Sequence, residues 1–296
     1  MTEVAPNPSA MASWTDTVYN LNRGDLDVEL ERLVNNHFNL WSPLTGDLLP
    51  PHILKSLQGQ ESPRIADVAT GNGVWLTSLA EHLPPRSELY GFDFDRLKFP
   101  SQQPEKPRID FQEQNVLEPF PEEMRGTFDL VHVRLLALGL KAVDWDVAVG
   151  NLFGLLKPGG WLTWEDTGDL FIRAFPLSSA YEEYWWARMK HDVRIGRDNL
   201  MPAALLKKLQ KLGFQNCEQK VWSTWAADKA IQDITTAACF CLVKPSLAAI
   251  VEDGGEETIR TMEDAIRVER TLAMEVEQKT IQIGLHCFRN WGQRPW

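Results

Sequence analysis

The stretch Arg64–Leu83, "RIADVATGNGVWLTSLAEHL", decides the fold of this 296-residue chain. Its beginning, "RIADVA", is mostly apolar, as in a buried strand, and its end, "VWLTSLAEHL", follows helical spacing. Between them lies a tight turn that contains Gly71 and Gly73. A strand, a glycine turn and a helix in this order are typical of an α/β protein that binds a nucleotide-like ligand.

The glycine turn alone leaves the ligand class open. Gly71 and Gly73 remove two Cβ atoms where a ligand would press on the backbone, and the helix that begins near Val74 would offer free N–H groups. A dinucleotide site needs a third glycine for helix packing, but Leu76 occupies that position. The turn also fits a strand-to-helix connection that binds nothing.

The rest of the chain alternates between short apolar strands and helices. Strands are predicted at 64–69, 87–93, 128–136, 161–166, 214–225 and 283–295, and the stretch 108–116 holds a short strand that ends near Gln114. This alternation implies a mostly parallel, seven-stranded sheet that is covered by helices. Right-handed crossovers bring the carboxyl ends of parallel strands to one rim, where ligands bind.

Polar side chains follow three of these strands at that rim. Asp67 ends the first strand, and Asp93 ends the second, twenty residues after Gly73. A carboxylate at the position of Asp93 can accept hydrogen bonds from two ribose hydroxyls. Asn115 follows the third strand, where an amide side chain could bind an adenine edge.

The composition indicates which partners to expect. Lys and Arg number 30 against 41 Asp and Glu, and the resulting net charge of −11 argues against non-specific nucleic-acid binding and anionic membranes. No stretch approaches the roughly 18 consecutive apolar residues of a membrane span, and the N-terminus lacks a secretion-signal pattern. The four cysteines lack metal-ligand spacing, so we expect no metal. We expect a cytoplasmic protein with a small-molecule substrate.

The sequence also predicts domain boundaries. Residues 1–13 are rich in Pro, Asn, Ser and Ala and are predicted to be a disordered tail, and residues 14–60 a helical cap. Residues 61–296 form the α/β domain. Within it, segments at about 170–210 and 228–280 leave the strand rhythm and are predicted to be helices that cover the substrate. The apolar helices at 228–280 would also allow a homodimer.

Several motifs occur together in the order and spacing of class I S-adenosylmethionine-dependent methyltransferases. They are "DVATGNG" (67–73), "GFDFD" (91–95), "NVL" (115–117), "FDLVHVR" (128–134) and "LLKPGGWL" (155–162). The chain resembles that family, and "LTGDLLPP" with the last strand resembles its fungal branch, which acts on secondary metabolites. The resemblance implies a Rossmann-like fold and S-adenosyl-L-methionine as cofactor.

The resemblance further implies a set of cofactor-binding residues. The turn would line the methionine part, Asp93 would hold the ribose, and a third group would surround the adenine. The turn residues are Asp67, Ala69, Thr70, Gly71 and Gly73, and the adenine contacts are Phe94, Asn115, Val116 and Leu117. Arg134 would bind the cofactor carboxylate or an anionic substrate. Ala69 stands where many relatives have glycine, and Asn115 where aspartate is more usual.

Catalysis requires an aligned nucleophile and, for some acceptors, a base. His132 is the first candidate, because it follows a strand at the rim and imidazole titrates in the useful range. The alternative is that His132 points into the layer between sheet and helix. Asp166, which ends "WLTWED" after Glu165, is the second candidate, and the alternative is that it caps the following turn.

An aromatic helix follows these strands and is the predicted substrate wall. We expect Tyr181, Trp185 and Trp186 to contact the substrate, with His191 and Arg197 beside them.

Three functions remain open from the sequence. The first is methyl transfer to an O or N atom of a small apolar or aromatic natural product. The second is a cyclisation, rearrangement or elimination in which the cofactor is bound but no methyl moves. The third is a non-catalytic regulator of secondary metabolism.

Overall fold

The structure, a computed structural model, describes residues 26–101 and 107–296. A mixed sheet forms its centre. The strands are β1 (Arg64–Val68), β2 (Glu88–Asp93), β3 (Ile109–Glu113), β4 (Phe128–Arg134), β5 (Leu156–Asp166), β6 (Ile172–Phe175), β7 (Gln215–Ser223) and β8 (Gln282–Gln293). The predicted tail at 1–13, and residues 14–25 of the predicted cap, lie outside the described residues.

The strand order is β3-β2-β1-β4-β5-β8-β6, with β7 also paired to β8. The strands β1 to β5 pair parallel with one another. The strand β8 pairs antiparallel with each of β5, β6 and β7. The Rossmann-like, mostly parallel sheet is therefore confirmed, but the predicted count of seven strands is one too low. The additional strand is β6, whose residues pair with 282–285 of the long strand β8, beyond the part that pairs with β5.

Helices cover both faces of the sheet and form the cap. They are α1 (Leu26–Asn35), α2 (Pro51–Gln58), α3 (Val74–Ala80), α4 (Asp144–Leu155), α5 (Ser179–Arg194), α6 (Leu205–Lys211), α7 (Lys229–Phe240), α8 (Val243–Glu252) and α9 (Met262–Glu277). A π-helical turn, Asn36–Trp41, and a short helical turn, Ser42–Thr45, continue α1. Inserted π-helical turns are rare and occur often at functional sites.

The apolar side chains form three cores. On one face of the sheet, Trp145 of α4 stacks on Trp164 of β5 at 5.0 Å between ring centroids. On the other face, Trp75 of α3 packs with residues of α2 and β1. A third core lies within the cap, where α7 packs on β8, and α8 and α9 pack on α5 and on each other. Leu40 and Trp41 of the π-helical turn belong to this third core, so the N-terminal helix is anchored on the cap.

The segment Lys229–Glu252 has the length and apolar composition of a membrane-spanning helix. That resemblance is weak evidence for a membrane, since core helices of globular proteins pass the same test. Here the segment bends between α7 and α8, and 44% of its most apolar window is buried inside the protein.

Candidate active site

A cavity of about 650 Å³ lies at the carboxyl ends of the parallel strands. This volume is within the range of small-molecule sites in proteins. Its wall is formed by the ends of four parallel strands, by the segments that follow them, and by the N-terminal helix. The wall residues are 67–72, 74 and 75 at the end of β1 and after it, 93, 94 and 98 at the end of β2 and after it, 113–118 at the end of β3 and after it, 132, 134–136, 139–141 and 144 in β4 and after it, and 32, 33 and 36 of the N-terminal helix. All the predicted cofactor residues except Gly73 lie in this wall.

Positive φ angles shape the turn after β1. Ala69, Gly71 and Gly73 have φ values of 61°, 56° and 74°, a region that disfavours side chains. A Cβ atom on Gly71 would lie 2.8 Å from Leu33 of α1, and one on Gly73 would lie 2.5 Å from the Phe111 ring. The absence of a side chain at Gly71 therefore lets the N-terminal helix approach the turn. At Gly73 it lets the Phe111 ring pack against the backbone of the turn.

The Asp93 carboxylate fixes the turn to the end of β2. Its oxygens accept hydrogen bonds from the Gly71 amide at 2.8 Å and from the Asp95 amide at 3.0 Å. Burial raises the pKa of Asp93, whereas the nearby Lys98 charge and both amides lower it. A carboxylate has about four acceptor positions, so this buried group can still bind two hydroxyls of a ligand in the cavity.

The segment after β3 forms the next part of the wall. The side-chain oxygen of Asn115 accepts a hydrogen bond from the Leu117 amide at 3.0 Å. Because this hydrogen bond uses the side-chain oxygen, the side-chain NH₂ of Asn115 is the group that can face a ligand. Asn115 is exposed, while Val116 is buried below it.

Five largely buried polar side chains lie together at the bottom of the cavity, and we call them the floor cluster. They are Asp67, His132, Arg134, Glu165 and Arg289. His132 Nδ1 donates to Asp67 Oδ1 at 2.7 Å, and its Nε2 lies 3.8 Å from Glu165 Oε2 without a hydrogen-bond partner. The His132 ring stacks on Trp75 at 3.5 Å. Its side chain thus lies between sheet and helix, at the floor of the cavity.

Ion pairs hold the floor cluster together. Burial alone would raise the pKa of Glu165, but the Arg289 guanidinium and the His132 imidazole outweigh it and lower that pKa to about 2. Arg134 Nη1 lies 3.9 Å from Glu165, and Arg134 Nη2 donates to His37 Nδ1 at 3.0 Å. Arg134 is the member of the cluster whose charge is best placed to meet a carboxylate in the cavity.

His37 links the N-terminal helix to the floor cluster. Because arginine can only donate, His37 Nδ1 is the acceptor and its Nε2 carries the proton that is donated to Ser78 Oγ at 2.8 Å. Burial, with a further contribution from the Arg134 charge, lowers the pKa of His37 to about 3. The sequence predicts a helical cap at residues 14–60 but does not mark His37, Arg32, Leu33 or Asn36 as part of the site.

Asp166 lies outside the cavity wall and holds the loop after β4. Its carboxylate accepts hydrogen bonds from the Leu136 and Ala137 amides at 2.9 and 2.8 Å and from Trp164 Nε1 at 3.0 Å. Burial raises the pKa of Asp166 to about 7 against these donors. The loop needs such support, because Leu135 adopts a φ of 57°, which is strained for a large side chain. The carboxylate therefore has the geometry of a turn anchor.

The five predicted substrate residues lie away from the cavity wall. Tyr181, Trp185 and Trp186 line a separate groove on the cap. His191 Nε2 pairs with Asp253 at 2.7 Å, and Arg197 donates to Asp192 at 2.8 Å and to the Leu138 carbonyl at 2.7 Å. Arg197 thus contacts the loop that borders the cavity without lining it.

The cavity fits S-adenosyl-L-methionine. It provides a buried carboxylate for the ribose, a glycine turn with close backbone approach, and a guanidinium for the methionine carboxylate. Each of these groups lies at the end of a different strand, as the resemblance to methyltransferases implies.

Comparisons with known proteins agree with this assignment. The sequence family described as "Methyltransferase domain" matches residues 37–219. The methyltransferase grgD of Penicillium sp is 32% identical over 86% of this chain and 90% of its own length. The N-methyltransferase sirN of Leptosphaeria maculans is 36% identical, but the match covers only 46% of this chain and 45% of that protein.

Among solved structures, a methyltransferase of Haloferax volcanii in complex with the Trm112 methyltransferase activator is similar to this chain. It has a TM-score of 0.50 and 13% identity, and the match covers 92% of this chain and 98% of that one. At this identity the likeness shows the fold alone. Three findings agree: the family match, the similarity to grgD over most of both chains, and a cavity that the methyltransferase motifs line. The chain therefore belongs to the class I S-adenosyl-L-methionine-dependent methyltransferases, with S-adenosyl-L-methionine as its cofactor.

Proposed function

We propose that this enzyme methylates a nitrogen atom of a small apolar or aromatic natural product. The main support for this proposal is the cavity. It combines polar residues that can bind the cofactor with an apolar margin at Leu135, Leu136 and Leu140. Similarity to proteins named as N-methyltransferases, sirN and tcpN, supports nitrogen over oxygen as the acceptor. When bound, S-adenosyl-L-methionine supplies a methyl group that its sulfonium sulfur has already activated.

The residues of the wall hold and orient the reactants. Asp93 would bind the ribose hydroxyls, Arg134 would pair with the methionine carboxylate, and the Asn115–Leu117 segment would surround the adenine. The N-terminal helix borders the cavity through Leu33 and Asn36, and Leu33 packs beside Gly71 of the turn. Such positioning is the main requirement for methyl transfer, since the geometry of attack determines the rate.

His132 is the proposed proton acceptor. Asp67 accepts from Nδ1, so in the neutral ring Nε2 is the basic nitrogen, and among the residues that the structure describes Nε2 has no hydrogen-bond partner. An imidazolium formed there would lie between the carboxylates of Asp67 and Glu165, and both would stabilise its charge. A neutral amine loses its proton only after it has gained the methyl group, so a buried acceptor that acts late is sufficient.

The proposal is tested by incubating the enzyme with methyl-labelled cofactor and a matched panel of small aromatic amines and phenols. We expect S-adenosylhomocysteine to form with amines in preference to phenols. Because the proton leaves only after the methyl group has moved, the His132→Gln variant should lower kcat through slower release of that proton from the methylated amine, while S-adenosylhomocysteine binding is retained. A changed product without S-adenosylhomocysteine would instead favour cyclisation, rearrangement or elimination. Undiminished turnover in His132→Gln would remove His132 as the proton acceptor.

A further inference from the structure

A second recess lies on the cap, and we call it the outer groove. It has a volume of about 510 Å³ and lies between β6, the first half of α5 and the turn after β7. Its wall is strongly aromatic, with Trp185, Trp186 and Trp225 on its sides and Phe175 at its margin. Trp186 and Phe175 are 51% and 70% exposed, so large apolar surface faces solvent here.

One positive charge in the outer groove, that of Arg173, forms no ion pair with the residues that the structure describes. The Arg173 guanidinium lies over the Trp185 ring at 3.6 Å. Its Nη1 is buried and has no hydrogen-bond partner, and within residues 26–101 and 107–296 no carboxylate forms an ion pair with it. Buried arginine donors are normally satisfied, and Arg173 lines the groove, so its guanidinium is the group that an acidic acceptor there would meet.

The outer groove is separate from the cofactor cavity. The two share no wall residue. The helix α5 is about 24 Å long at 1.5 Å per residue, and Tyr181 and Trp185 lie in its first half. The cavity loop instead meets the residues after its far end, where the Ala142 amide donates to the Gly196 carbonyl. A molecule in the outer groove therefore cannot be the methyl acceptor in the same binding event.

We propose that the outer groove is an accessory binding site for a planar aromatic molecule that carries one acidic group. The rings would stack on Trp185 and Trp186, and the acid would accept hydrogen bonds from Arg173. The exposed carboxylate of Glu182 also lines the groove and disfavours ligands with more than one negative charge. This site goes beyond the methyl transfer proposed above and does not depend on it.

The test uses 8-anilinonaphthalene-1-sulfonate as probe and N-phenyl-1-naphthylamine, which has the same rings without the acid, as the neutral comparison. Saturating S-adenosylhomocysteine is present throughout, so that the cofactor cavity is occupied. In wild type we expect saturable binding of one sulfonate probe per chain, observed as enhanced probe fluorescence. Arg173→Gln should weaken the sulfonate about tenfold, as expected for loss of a charge-assisted hydrogen bond, and leave the neutral probe unchanged.

Three further variants sharpen the result. Arg270→Gln, an exposed arginine on α9, is the matched control and should bind both probes as wild type does. Trp186→Ala should weaken both probes, and Glu182→Gln should tighten the sulfonate. Equal affinity of wild type and Arg173→Gln for the sulfonate would overturn the proposal. It would also be overturned if sedimentation showed a dimer that Trp186→Ala dissociates, since a second copy would then fill the groove. Calorimetry of S-adenosylhomocysteine on Arg173→Gln monitors the cofactor site independently.

Discussion

The cofactor cavity and the outer groove are built by different means. Backbone turns at the ends of consecutive strands shape the cavity, with positive φ angles at Ala69, Gly71 and Leu135. Side chains shape the outer groove, on a short edge strand and a helix surface. A backbone-built site tolerates little change in its turns, whereas a side-chain-built site can change its specificity without changing the fold.

The two regions also treat charge differently. In the floor cluster each charged group has a charged or hydrogen-bonding neighbour, as Glu165 has in Arg289 and His132. The cap contains a comparable buried group, in which Arg188 binds Asp169 and Arg197 binds Asp192. Within the described part of the chain, Arg173 in the outer groove has no such pairing. Paired buried charges specify geometry, whereas an unpaired guanidinium indicates a position for a ligand.

Gly73→Ala should give the largest effect on stability and tests whether the cavity depends on its backbone. The new Cβ would lie 2.5 Å from Phe111 at a φ of 74°, so we expect the free energy of unfolding to fall by about 3 kcal/mol. Gly126→Ala is the matched control, because its φ is 66° but no atom lies within 4 Å of the new Cβ. Urea denaturation should show a loss of only about 1 kcal/mol there. Equal losses would mean that packing on Phe111 is unimportant.

The same contrast explains what could be predicted from the sequence. Asp67, Gly71 and Asp93 were identified because a strand end and a turn are local features, and parallel strands bring such ends to one rim. The mostly parallel sheet followed from the alternation of strands and helices, and the Rossmann-like fold followed from the resemblance to methyltransferases.

The rest depends on contacts between distant segments. His37 reaches Arg134 across 97 positions of the chain, and no local pattern marks the helix face that covers the cavity. The strand β6 is only four residues long and forms because β8 extends beyond β5. Tyr181 and Trp185 were predicted to contact the substrate, but they line the outer groove and not the cofactor cavity, and the sequence could not indicate which of the two recesses they line.

Asp93→Asn should give the next effect and acts on the cavity and on the turn beside it. The asparagine oxygen can still accept from the Gly71 amide, but the acceptor for the Asp95 amide and the charge that would bind two ribose hydroxyls are lost. We expect S-adenosylhomocysteine to bind about 30-fold more weakly by calorimetry, which corresponds to about 2 kcal/mol. Asp110→Asn, an exposed carboxylate on β3, is the control and should bind normally. Binding of the sulfonate probe in the outer groove should be unchanged in both variants. Unaltered cofactor affinity in Asp93→Asn would place the ribose elsewhere.

His37, which contacts the floor cluster beside the cavity, should make the stability of the protein depend on pH. Its pKa is lowered to about 3 in the folded state from 6.5, so the folded state favours neutral imidazole. The stability that His37 contributes is therefore complete above pH 6.5 and is lost as the pH falls toward 3. We expect the stability gap between wild type and His37→Gln to narrow by about 1–2 kcal/mol from pH 7 to pH 5. Urea denaturation at both pH values measures this, with exposed His82→Gln as the comparison. A constant gap would show that His37 is not buried beside Arg134.

Ala69→Gly should give the smallest effect, but its sign is informative. Ala69 adopts a φ of 61° in the cavity wall, a conformation that glycine adopts without strain. Relief of that strain exceeds the additional entropy of the unfolded glycine chain, so we expect stability to rise by about 0.5–1 kcal/mol. Ala237→Gly, an exposed site in α7, should instead lower stability by a similar amount, because the backbone there is helical. A loss of stability in Ala69→Gly would mean that the alanine methyl group makes a contact worth more than the strain, and that side chains also shape this turn.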